Sequence, residues 1–138
     1  HKIAFTCSFN PVLWAQGEED AIIGTSIMNY KNSFNSLYNS WVMDCPNVED
    51  IYVFQTKNGC GAAESSLMKI KEAQRGLCGE NSNVHIMSTS SLYSSSDNCH
   101  FTFQNGYEEF GKRIFNLIRR NNYGIGNNKE IDPPLITD

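Results

Sequence analysis

The sequence predicts an α/β fold: a parallel sheet with helices packed on both faces. Three observations predict it. Strand-like and helix-like stretches alternate along the chain, in the order strand, helix, strand, helix, strand, loop, helix. The first strand-like stretch is continuously apolar, the pattern of a strand covered on both sides. Each helix-like stretch carries one apolar stripe, which is what a helix needs to pack on a sheet.

Pro11-Val12-Leu13-Trp14-Ala15 reads as that first strand, and Gln16-Gly17-Glu18-Glu19-Asp20 follows as a polar, glycine-containing turn. A long amphipathic helix is expected from Thr25 to Met43. Ile27, Tyr30, Phe34, Leu37 and Trp41 share one face of it, and Thr25 or Ser26 is placed to cap its start. Pro46 follows, then Ile51-Tyr52-Val53-Phe54-Gln55, a second strand rich in β-branched and aromatic residues. Asn58-Gly59-Cys60-Gly61 is a turn. Glu64 to Leu77 reads as a second helix with Leu67, Ile70, Ala73 and Leu77 on one side, stopped by Gly76 or Gly79.

Val84-His85-Ile86-Met87 is the third strand, in which His85 is expected to have no chemical role. Ser88 to Ser96 is a serine-rich loop. The last helix is expected from Gly106 to Asn121. Its apolar face is Phe110, Ile114, Leu117 and Ile118, with Glu108 and Glu109 in the first turn and Arg119 and Arg120 in the last, both favourable to the helix dipole. Gly124 to Lys129 reads as a linker and Ile131-Asp132-Pro133-Pro134-Leu135-Ile136 as the extended start of something further. The expected division is therefore a domain over 1–123 and a linker with the beginning of a following segment over 124–138.

At 138 residues, the chain is one domain's worth of sequence, enough to bury about two-thirds of its unfolded surface. A net charge of −4 and a pI near 5.3 imply no broad basic face, which argues against nucleic acid as a partner. The apolar runs are too short to span a bilayer. The chain opens on His1 rather than Met, so the start of the natural protein is expected to be absent or processed. The five cysteines include no C-x-x-C pair, and neither a metal site nor a cofactor is expected. Cys60 and Cys78 flank a helix and are placed to be bridged, although simple buried thiols fit equally well.

Two polar clusters stand out. Gln16-Gly17-Glu18 follows the first strand directly, and Asp97 and His100 follow the third after a loop. In open parallel sheets, ligands sit beyond the carboxyl ends of the strands, so both clusters fall on the binding edge. A carboxylate three residues before an imidazole is placed to accept the Nδ1 proton, leaving Nε2 to take a proton from a nucleophile.

Trp14-Ala15-Gln16-Gly17-Glu18-Glu19-Asp20, then Asp97-Asn98-Cys99-His100-Phe101, then Gly106-Tyr107-Glu108-Glu109-Phe110-Gly111-Lys112-Arg113 resemble a known family. The family is the sialate O-acetylesterase and acetylxylan-esterase branch of the SGNH hydrolases, with its W-x-Q-G-E-x-D/N, D-x-x-H-F and G-Y-x-x-x-G-x-R motifs. Glu72-Ala73-Gln74-Arg75 matches a fourth run common in that branch. The resemblance covers roughly residues 11 to 121, and four matches in the right order are far more specific than one.

The resemblance implies a three-layer α/β/α fold and hydrolysis of O-acetyl groups from sugars by an activated serine. His100 is then the general base and Asp97 its orienting partner. Gln16, with nearby backbone N–H groups in the Gly17 turn, would hold the developing oxyanion. Glu18 would order Gln16 or the nucleophile loop, or else accept bonds from a following helix N-terminus. Cys99 is expected as a packed thiol, and Gly106 and Arg113 as structural residues. Acetylated carbohydrate is the implied substrate, and the protein is expected to be secreted or extracytoplasmic.

One departure matters. The family carries its nucleophile in a Gly-Gln-Ser-Asn-like turn after the first strand of the domain, with a second glycine block before W-x-Q-G-E. Neither block is here, and Thr6-Cys7-Ser8-Phe9-Asn10 is the nearest string. Ser94, Ser95 and Ser96 would share a loop with their own base. The chain is therefore expected to be the C-terminal portion of an esterase domain, completed by a nucleophile-bearing N-terminal part, which could be a separate chain. Two readings compete with this one. The first is a non-catalytic carbohydrate-binding or structural protein on the same scaffold, with Trp14, Tyr93 or Phe101 stacking on a sugar. The second is a cysteine enzyme using Cys60 or Cys99 with His100.

Overall fold

The computed structural model describes residues 10–126. The expected strand-like tail after Lys129 and the Thr6–Asn10 string lie largely outside them. Three strands, β1 (Asn10–Ala15), β2 (Val48–Phe54) and β3 (Val84–Met87), form one parallel sheet in the order β1-β2-β3. Around it lie α1 (Glu18–Ile23), α2 (Ile27–Asp44), α3 (Glu64–Glu80) and α4 (Glu108–Tyr123). Consecutive strands are neighbours, so right-handed crossovers place α2 and α3 on the same face. The fold is α/β, as the sequence predicts.

The alternation of β2 explains its unbroken apolar sequence. Ile51 and Val53 point to the side of α2 and α3 and pack with Tyr30, Phe34, Leu67, Ile70, Ala73 and Leu77. Tyr52 and Phe54 point the other way, where Met87 and Leu117 join them under Phe110, Ile114 and Ile118 of α4. Fully burying one such side chain is worth about 1.5–3 kcal/mol. The helix stripes read from periodicity are thus the buried or half-buried faces, except that Ile27 at the start of α2 is 38% exposed. Trp14 packs edge-on against Phe34 and Trp41, with ring centroids 6.5 and 5.3 Å away.

The first strand differs from expectation. Its Val12 and Trp14 side is covered, but Leu13 is 49% exposed, because α4 reaches only β2 and β3. A continuously apolar run predicts two covered faces; among the described residues, β1 has one.

Two helix ends also differ. Residues 18–20 are not part of an open turn but begin α1. Three acids in the first turn suit the helix dipole, and Gly24 closes the helix in the left-handed region. Neither Gly76 nor Gly79 stops α3, which continues to Glu80. A mid-helix glycine costs roughly 1 kcal/mol, and the complete burial of Leu77 offsets it. Ser26, not Thr25, caps α2, its Oγ accepting from the N–H of Asn29 at 3.2 Å.

His85 belongs to a network away from the carboxyl ends of the strands. Its Nε2 lies 2.6 Å from Asp50, Asn122 donates to the same carboxylate, and Tyr52 donates to Asn122 at 2.7 Å. Burial, reinforced by Asp50, pushes the Tyr52 phenol up to about 12. The network ties the end of α4 to β2. Among the described residues, no helix is long and apolar enough to cross a membrane.

Candidate active site

The loops after the three strands meet around one cavity of about 410 Å³. Gln16 and Glu18 come to its wall from the β1 side, Lys57 and Cys60 from the β2 side, and Cys99, His100 and Phe101 from the loop after β3. The structure thus brings together the two clusters that the sequence singles out, some 80 residues apart.

His100 and Asp97 are in direct contact, with Nδ1 2.6 Å from Oδ2. An ionised carboxylate only accepts, so Nδ1 carries the proton and Nε2 is the unprotonated nitrogen of the neutral ring. The other carboxylate oxygen of Asp97 accepts from the N–H groups of Cys99 (2.9 Å) and His100 (3.0 Å), and from Ser95 Oγ. The contacts with His100, then Ser95, then the two amides hold the Asp97 carboxyl well below the usual carboxylate range.

Lowering the folded pKa means that the ordering supplied by Asp97 is complete above the unfolded value of about 3.9. It is lost only as pH falls through the lower, folded value. A carboxyl-carbon NMR titration is expected to place the Asp97 midpoint below 3.9, roughly the model-peptide value. A midpoint at or above that value would show that these bonds do not form.

A disulfide between Cys60 and Cys99 ties this loop to the turn after β2. This corrects three expectations. Cys60 is not bridged to Cys78, which is a free, half-buried thiol on α3. Cys99 is not a packed thiol. Neither Cys60 nor Cys99 is available as a nucleophile, so the cysteine-enzyme reading falls. Cys60 and Cys78 stand at opposite ends of a rigid helix, whereas Cys99 sits on a loop that crosses the Gly59 turn. A Cβ on Gly59 would come within 2.0 Å of the Asn98 carbonyl oxygen, so only glycine permits the crossing.

The bridge spans 39 residues. Replacing both cysteines by serine is expected to lower stability by roughly 2–4 kcal/mol and to expose residues 94–100 to proteolysis. Denaturant unfolding with limited proteolysis checks this, and an unchanged cleavage pattern would mean that the loop holds itself.

Lys57 braces the same loop, its Nζ donating to the His100 carbonyl at 3.2 Å and lying 5.1 Å from the Phe101 ring centroid. Behind the loop, a π-helical turn (Phe103–Tyr107) leads into α4. Gly106 is buried there, and a Cβ on it would meet Phe101 Cβ at 2.7 Å and the Tyr93 carbonyl oxygen at 2.9 Å. Arg113 is 9% exposed and donates to the Ser90 carbonyl at 2.6 Å, fixing the loop after β3. Tyr93 itself is 65% exposed, whereas Phe101, Tyr107 and Phe110 line the cavity.

Elsewhere on the cavity wall, Gln16 donates through Nε2 to Asp20. Asp20, not Glu18, is therefore the carboxylate that holds Gln16. Glu18 reaches the cavity wall from the first turn of α1. Gly17 is buried beneath that wall at φ 140°, where a Cβ would stand 2.5 Å from Thr56 Cγ2 and 2.8 Å from Ile70 Cγ2.

Gln74 organises this wall. It is fully buried and accepts the Thr56 N–H at 2.9 Å. It also donates to the Gln16 carbonyl at 3.0 Å and contacts the Tyr30 hydroxyl at 3.3 Å. The Tyr30 hydroxyl in turn donates to the Gln16 carbonyl at 3.1 Å. One side chain on α3 thus fixes the loops after β1 and β2. Its role is missed by a reading of periodicity that counts only apolar residues. The available signal was an amide four residues after Ile70, on the buried stripe.

His100, in contact with Asp97, and Gln16 thus line one cavity at the carboxyl ends of the strands of an α/β sheet. The sequence model of the carbohydrate esterases described as sialic acid-specific acetylesterases matches residues 2–120, and the chain belongs to that family. No curated protein and no solved structure gave a match.

Proposed function

We propose that this chain supplies the general base, its orienting acid and an oxyanion donor for hydrolysis of O-acetyl groups on carbohydrates. The nucleophilic serine comes from a segment outside the described residues. The observation that carries the reading is the 2.6 Å contact between His100 Nδ1 and Asp97, made by an imidazole on the wall of the cavity that Gln16 also lines.

In this reading, His100 Nε2 takes the serine proton as the oxygen attacks the acetyl carbonyl. The imidazolium is stabilised by Asp97. The carbonyl oxygen, now negative, is met by the second N–H of the Gln16 amide, whose first N–H is held by Asp20. Collapse expels the sugar oxygen, which takes its proton from His100. Water then repeats the sequence to release acetate. An oxyanion donor of this kind is worth about 2.7–4 kcal/mol in the transition state.

Among the described residues, no serine lines the cavity. Thr89, on the wall, donates its hydroxyl to the Gln55 carbonyl at 2.8 Å, and Ser95 is committed to Asp97. This supports a nucleophile delivered from outside the described residues. The disulfide is a mark of an oxidising compartment and supports export.

The test is release of acetate from O-acetylated sugars. The chain alone is expected to be inert, and activity should appear when the nucleophile-bearing part is supplied. An assembled domain that binds the sugar but releases no acetate would instead favour a non-catalytic carbohydrate-binding protein.

A further inference from the structure

Lys57 stands between two anchored positions in the segment after β2. The residue before it, Thr56, is buried, and its N–H is held by Gln74 at 2.9 Å. Further along, Cys60 is bonded to Cys99. From this footing the ammonium reaches the loop that carries the imidazole. Its Nζ donates to the His100 carbonyl at 3.2 Å and stands 5.1 Å from the Phe101 ring centroid. We infer that Lys57 is a positioning residue for the hydrolysis: it fixes the orientation of the loop that carries His100, and so the aim of Nε2 into the cavity. The inference rests on the acetylesterase reading and adds a residue to it.

The loop's own hydrogen bonds close it on itself. The Ser95 N–H donates to the His100 carbonyl at 2.8 Å, the Asn98 N–H donates to the Ser95 carbonyl at 3.1 Å, and Ser94 pairs with Phe101 in an antiparallel bridge. Asp97 accepts from Ser95 and from the amides of Cys99 and His100. These bonds set the shape of the loop and the contact between Asp97 and His100, but not where the loop points. The disulfide holds it at Cys99, and a body held at one point still turns about it. Phe101 packs against Phe110 and Tyr107, with ring centroids 5.9 and 5.6 Å away, but apolar contact is non-directional. The Lys57 hydrogen bond is directional, and it falls on the base residue itself.

A lysine suits this position. The His100 carbonyl already takes the Ser95 N–H, and its second lone pair takes the ammonium. The Phe101 ring offers its negative face to a cation. The Lys57 charge also acts on Asp97, whose carboxylate must stay ionised to accept from Nδ1. A neutral side chain of similar length would keep the reach and lose these interactions. Lys57, His100 and Phe101 all line the one cavity, so the contact is made where the substrate would be held.

The test compares Lys57→Met, Lys57→Arg and Lys69→Met. Acetate release from O-acetylated N-acetylneuraminic acid is measured in the complete domain, and amide NMR relaxation of residues 94–101 in the chain. Lys69 is exposed on α3 and lies off the cavity wall. A misplacement of about 1 Å can cost roughly 100-fold in rate. Lys57→Met is therefore expected to lower kcat roughly 10- to 100-fold while KM stays within about twofold. Lys57→Arg keeps the charge and the donors and should recover most of kcat, and Lys69→Met should change neither constant. In the chain, Lys57→Met should loosen residues 94–101 and Lys57→Arg should restore their order. An unaltered kcat in Lys57→Met, a loss carried by KM, an equal loss in Lys57→Arg or Lys69→Met, or unchanged loop order would each overturn the inference. A complete domain that releases no acetate before any substitution would overturn the esterase reading instead, and the relaxation measurement would still decide whether Lys57 holds the loop.

Discussion

Replacing His100 by alanine is expected to reduce acetate release by the complete domain by about 10³-fold or more in kcat while leaving the fold unchanged. The imidazole is well exposed and belongs to neither apolar cluster, so its removal opens no cavity. Loss of the base removes an interaction made in the transition state rather than with the bound sugar, so KM should change little. Asp97→Asn is expected to fall in the same direction, because an amide that donates to Nδ1 would favour the wrong tautomer. Steady-state kinetics with circular dichroism on both variants checks this. Near-normal kcat in His100→Ala would remove the base from this position.

The largest expected effect on stability lies at Gln74. Gln74→Ala leaves the Thr56 N–H and the Gln16 carbonyl without their buried amide partner and opens a cavity at the centre of the domain. The Gln16 carbonyl keeps the Tyr30 hydroxyl, so the unsatisfied group is the Thr56 N–H, at about 1–3 kcal/mol; with the cavity added, a loss of about 3–5 kcal/mol is expected in denaturant unfolding. Gln74→Glu is nearly the same size and keeps the acceptor for Thr56. It turns the donors toward the Gln16 carbonyl into acceptors, so it should recover only part of the loss. A cost below about 1 kcal/mol for Gln74→Ala would mean that the loops after β1 and β2 hold themselves. The same substitution should also disturb Gln16, since the backbone that carries its amide is anchored by Gln74 and Tyr30.

Much of this was legible in the sequence because it depends on period and on order. The stripes on α2, α3 and α4 were readable because one buried face repeats at helical spacing. The parallel sheet was readable because strands and helices alternate. The pairing of Asp97 with His100 was readable because three residues of loop bring a carboxylate to an imidazole. What was hidden depends on contacts between distant segments. Cys60 and Cys99 pair because Gly59 lets Asn98 cross the turn, and no spacing announces such a crossing. Asp20 was hidden as the partner of Gln16 because α1 is too short to show a period. Leu13 was read as covered because an apolar run does not say how many helices reach it.

The most direct measurement is to label the complete domain with a serine-directed fluorophosphonate and map the modified peptide. The predicted result is a single labelled serine outside residues 10–126, with labelling lost in His100→Ala. A label on a serine within 10–126, or labelling that persists without His100, would contradict the assignment of this chain as the base-bearing part of the site.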